Sequence, residues 1–129
     1  MSDSQANVAG GGALELSIES KRLEGNIGLI TITGEVDVYT SPRVRSAMLE
    51  HLDNGCTSLI VDLSAVDYLD SSGLGTLVAG LKRSKEHGGQ VILVSPKPRI
   101  VRVLEVTGLD QVFRILTSVE EAVLAAGRN

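Results

Sequence analysis

The way two hydrophobic periods succeed one another constrains this chain more than any single motif. Leu14, Leu16 and Ile18 alternate with Glu15, Ser17 and Glu19, the period of a strand with one wet face. A turn around Gly25-Asn26 leads into a β-branched run, Leu29 to Thr33, predicted to return as the second arm of a hairpin. A helix then opens at Ser41-Pro42, with Ser41 as cap and Pro42 in the first helical position. It carries Val44, Met48 and Leu52 on one stripe and ends at Gly55. Leu59 to Leu63 is a short apolar run suited to a buried parallel strand. Leu74, Leu77, Val78 and Leu81 give a second helix over about residues 71–87, stopped by Gly88-Gly89. Val91 to Val94 is another buried strand, and Ile100, Val103 and Leu104 line a third helix closed by Gly108. Val112 to Leu116 is the last strand. Ser118 and Glu121 form a capping box for a fourth helix with Val119, Ala122, Val123 and Ala126 on its stripe. The order β-β-α-β-α-β-α-β-α predicts an α/β fold: a mixed, mostly parallel sheet with an N-terminal antiparallel hairpin strand and four helices.

A chain of 129 residues has room for one domain. That domain is placed at residues 14–127, after a disordered tail, residues 1–13, of small polar residues ending in Gly10-Gly11-Gly12. A single cysteine, Cys56, excludes an internal disulfide framework. A net charge of −4 argues against nucleic-acid or anionic-membrane binding. Two tyrosines and one phenylalanine are too few for base-stacking platforms. No apolar run reaches the roughly 18 residues of a membrane span, and the first residues lack a secretory pattern. A soluble, cytoplasmic protein is expected.

Strands two, three and four each lead into a helix, so their carboxyl ends share one edge of the sheet, where open α/β sheets place their sites. That edge carries Gly34-Glu35-Val36-Asp37, then Asp67 to Gly73, then Ser95 to Arg99. The run Asp70-Ser71-Ser72-Gly73-Leu74-Gly75 is the most informative. On the plainer reading, Asp70 or Ser71 caps the second helix and the glycines permit close packing. On the functional reading, an exposed hydroxyl at a helix N-terminus accepts a phosphate, which joins the negative charge of Asp70 and Asp37. Catalytic patterns fail. The nucleophile elbow, the dinucleotide glycines and the phosphate loop are all missing, so no cofactor is expected. His51, Cys56 and His87 are too widely spaced for a metal site, and both histidines read as solvated helix ends. Cys56 reads as an inert small residue. Lys82, Arg83 and Lys85 read as the wet face of the second helix; Pro96 and Pro98 mark Lys97 and Arg99 first as a stiff connection, with cations on the site edge as the alternative.

Three segments in this order, Gly34-Glu35-Val36-Asp37 with Thr40, Asp70 to Gly75, and Val106-Thr107-Gly108-Leu109, resemble the STAS family. Within it the chain is similar to bacterial anti-sigma factor antagonists, from about Leu14 to Ala126. The resemblance implies that the unphosphorylated protein binds an anti-sigma factor serine kinase of histidine-kinase-like ATPase fold and frees a sigma factor. It implies Ser71 as phosphoacceptor and a PP2C-type phosphatase that restores it. Asp37, Thr40, Asp70, Ser72, Gly73 and Leu74 become its neighbours and the partner-binding patch. Two alternatives stand beside this reading: a scaffold or accessory STAS subunit, of a stressosome or a transporter, and a small α/β enzyme or nucleotide binder.

Overall fold

A computed structural model describes residues 16–127, so the predicted tail and the first residues of the first strand pattern lie outside the described residues. Strands β1 (Ser17–Leu23), β2 (Ile27–Val36), β3 (Ser58–Leu69), β4 (Val91–Val94) and β5 (Arg114–Leu116) form one sheet in the order β1-β2-β3-β4-β5. Helices α1 (Ser41–Asp53), α2 (Ser71–Glu86), α3 (Pro98–Val106) and α4 (Val119–Gly127) connect or follow them. β1 runs antiparallel to β2, from Ser17↔Thr33 to Leu23↔Ile27, and the other pairs are parallel. The hairpin turns on Gly25 and Asn26, both at positive φ (87° and 61°), the conformation for which Gly and Asn are the natural choices. The predicted architecture is the observed one.

Strand alternation sorts the core into two layers. Ile30, Ile32, Leu59, Val61, Leu63 and Leu93 face α1, α2 and α3, which bring Met48, Leu77 and Leu104. Ile27, Ile60, Ile92 and Val94 face the other way and pack on Ala122, Ala125 and Ala126 of α4. All four residues of β4 are buried, as a strand covered on both faces requires.

Several boundaries differ from expectation for local reasons. Ser41 is not the cap of α1; it is buried inside the first turn, Thr40 holds the cap position, and Pro42 is the second helical residue. β3 runs on from the expected Leu63 to Leu69, paired with β2 through two register shifts, so β2 and β3 project beyond β4 as a two-stranded ribbon. The last strand begins at Arg114 rather than Val112, because a 3-10 turn at Leu109–Gln111 first drops Phe113 into the core. The capping box opens α4 in altered form. Glu121 N–H donates to Ser118 Oγ (3.1 Å), while the Glu121 carboxylate accepts from the N–H and hydroxyl of Thr117, one residue earlier than the standard partner.

Candidate functional site

β3 hands over to α2 at Asp70, whose extended backbone places it at the N-cap. Its Oδ1 accepts from Ser72 N–H (2.9 Å) and Gly73 N–H (3.1 Å), two of the donors a helix start leaves open. Its own N–H donates to Val36 O (3.1 Å), which ties the end of β3 to the end of β2. Asp37 and Ser71 each follow one partner of that bond, so two segments 34 positions apart in sequence meet at one edge.

The plainer and the functional readings of this motif separate by residue. Asp70 makes the cap. Ser71, the first helical residue, is exposed, and its hydroxyl makes no hydrogen bond among the described residues. Ser72 is half-buried beside it. Gly73 and Leu74, expected on the docking patch, lie in the interior instead. A Cβ on Gly73 would sit 2.5 Å from Leu69 Cδ1 and 2.9 Å from Val36 Cγ1, so the missing side chain is what lets α2 start this close to the ribbon. The outward neighbour one turn below Ser71 is Gly75, where a Cβ would meet nothing within 4 Å.

The β2–α1 connection is a self-contained turn. Asp37 Oδ1 accepts from Tyr39 N–H (2.9 Å) and Thr40 N–H (3.0 Å). Thr40 Oγ1 accepts from Asp37 N–H and donates to Glu35 O, both at 2.9 Å. These bonds, led by the one from the Thr40 backbone, hold the Asp37 carboxyl below its ordinary pKa, so it keeps its charge. Lys97 and Arg99 do reach this edge, but as a staple. Lys97 Nζ pairs with Asp67 Oδ1 (2.5 Å) and Arg99 Nη1 approaches Asp67 O (3.4 Å). The Lys97 hydrogen bond and charge keep the Asp67 pKa low. The exposed side chains Val38, Tyr39 and Tyr68 also border this edge, and sequence patterning missed them. The one available signal was that both tyrosines flank the acidic motifs in a chain almost without aromatics.

Elsewhere, His87 is exposed, as expected, and Arg83 pairs with Asp53 (3.0 Å). His51 is no solvated helix end. Its ring lies over Gly28, where a Cβ would come within 2.5 Å of it, and Nε2 stands 2.6 Å from Ser20 Oγ. Cys56 is buried, with its sulfur 3.8 Å from His51 Nδ1. Among the described residues no cluster of three or more His, Cys, Asp or Glu is placed to hold a metal. None of their helices is long and apolar enough to cross a membrane. Surface hollows of about 480 Å³, on β1–β2, and about 400 Å³, between β1 and α1, lie away from Ser71.

An α/β domain with helices on both faces of its sheet and an exposed serine after a capping aspartate defines a class, and comparison with known proteins names it. The STAS domain family model matches residues 18–122, and the chain belongs to that family. It is 32% identical over 102 residues to an anti-sigma-B factor antagonist of Listeria monocytogenes, covering 79% of this chain and 90% of the relative. It is 32% identical over 110 residues to the anti-sigma-B factor antagonist of Bacillus subtilis, covering 85% and 99%. The crystal structure of an anti-sigma factor antagonist from Mycobacterium paratuberculosis superposes with a TM-score of 0.77 at 25% identity, covering 91% of this chain and 97% of that one.

Proposed function

We propose that this chain is an anti-sigma factor antagonist switched by phosphorylation of Ser71. Unphosphorylated, it binds in the cytoplasm to an anti-sigma factor that is itself a serine kinase of histidine-kinase-like ATPase fold, and so releases the sigma factor. Phosphate on Ser71 ends that binding, and a PP2C-type phosphatase removes it. The chain acts by binding, not by catalysis.

The observation that carries this reading is the division of labour between neighbours: Asp70 caps α2, which leaves the exposed Ser71 hydroxyl without a structural task. A phosphate there brings a charge of about −1.5 to −2. The Ser72 and Gly73 N–H groups that would receive it at a bare helix start already serve Asp70. Asp37 and Asp70 add like charge, and Lys97 is engaged with Asp67. The phosphate therefore stands at the surface without the helix-start donors, and covering it with a partner leaves a desolvated charge. A penalty of about 3 kcal/mol weakens binding more than a hundredfold.

The test is titration calorimetry of an anti-sigma factor kinase against Ser71→Ala and Ser71→Asp, with mass spectrometry to locate the phosphate after incubation with ATP. Ser71→Ala should bind with or without ATP, and Ser71→Asp weakly. Equal affinity of the two variants refutes the switch.

A further inference from the structure

Six large apolar side chains are exposed among the described residues, and three of them, Val38, Tyr39 and Tyr68, border the carboxyl edge of β2 and β3. Tyr68 precedes Leu69, whose side chain enters the α1–α3 core, so the Tyr68 ring projects from the opposite sheet face. Tyr39 sits on the β2–α1 connection and is 86% exposed. It is also held still from below, because its N–H and that of Thr40 both donate to Asp37 Oδ1. A large amphipathic ring on a pre-ordered backbone loses little entropy when a partner covers it.

We infer that Val38 and Tyr39 form the anchor by which the serine kinase acting on Ser71 grips this protein, and that Asp37 is the positioning residue that presents it. This rests on the function proposed above. The occupant follows from reach. A stable footprint covers about 800 Å² per partner, a disc roughly 16 Å in radius. Val36 and Asp70 are joined by a hydrogen bond of 3.1 Å. Ser71 lies one residue past one end of it, and Val38 and Tyr39 lie two and three past the other. A disc of that size laid over Ser71 takes in the folded turn, and centrally buried tyrosines are the side chains that most often dominate such contacts.

The test is steady-state phosphorylation of Ser71 by the kinases of this ATPase fold from the same cell, each purified singly. Tyr39→Ala should raise KM for this protein at least tenfold with kcat unchanged, and Tyr39→Phe should restore it. Leu124→Ser, which removes another exposed apolar side chain, on α4, should match the wild type. Thermal melts verify that all variants fold. A wild-type KM for Tyr39→Ala, or a loss confined to kcat, overturns the anchor while leaving the switch intact. If no kinase places phosphate on Ser71 of the wild type, the switch falls, and the anchor with it.

Discussion

Helix α2 carries glycines at 73, 75 and 80 in three different surroundings. A Cβ on Gly73 meets Leu69 and Val36, and one on Gly80 meets the end of Met48, whereas one on Gly75 meets nothing. Gly75→Ala should therefore recover the helix propensity that glycine forfeits, about 1 kcal/mol. Unfolding residues 16–127 at about 2.1 cal/mol/K each gives an entropy of roughly 0.24 kcal/mol/K, so Tm should rise by about 4 °C. Binding should move the other way. Gly75 lies one turn from Ser71 on the same helix face, and a partner seated over Ser71 comes down onto it. A methyl group pushed into a fitted contact costs about 1–3 kcal/mol, a loss of affinity of about 5- to 140-fold. Differential scanning calorimetry reads the first effect and titration with the anti-sigma factor kinase the second. A lower Tm would refute the account of Gly75 as an unneeded helix break. Unchanged affinity would refute close approach of a partner to α2.

The other predictions concern stability. The His51 ring is partly buried over Gly28, and that desolvation lowers its pKa below 6.5; Glu50 pulls it up and Arg22 pushes it down. The unfolded chain is then the better proton acceptor, so this contribution is complete above pH 6.5 and is lost as pH falls from there toward the folded-state value. Thermal melts between about pH 7.5 and 5.5 should lose part of their slope in His51→Gln, and an identical slope would reject the assignment. Ser84 Oγ is fully buried with no hydrogen-bond partner among the described residues. Ser84→Ala should stabilise by about 1 kcal/mol in urea unfolding, since it removes an unsatisfied group and improves helix propensity; destabilisation would contradict that.

Element order was legible because the central strands and the helices bury apolar side chains, and burial imposes a period. Where the period breaks, legibility ends. Beyond Leu63 the third strand reads Ser64-Ala65-Val66-Asp67-Tyr68-Leu69, and its register shifts against β2 disrupt strict alternation, so the projecting ribbon left no pattern to follow. The recess that holds His51 exists because Gly28 has no side chain, a pairing of distant positions that neither stretch announces. Thr40 displaced Ser41 from the cap because it is bonded to Glu35 and Asp37, which a reading from Pro42 backward does not see. The run from Asp70 to Gly75 was legible because it is contiguous. Gly73 and Leu74 belong to that motif by sequence, yet they act from beneath it.

The same contiguity bears on how a signal at Ser71 would be read. A phosphate that captured the first N–H groups of α2 would compete with the cap and move the helix start. Here Asp70 holds those donors and is itself tied to Val36, so a phosphate on Ser71 would leave the start of α2 in place. Asp37 is pinned by its turn and stays charged at neutral pH, which fixes the electrostatic background as well. Phosphorylation at such a site would change the surface and leave the fold unchanged, so whatever distinguished the two states would have to do so by touching them.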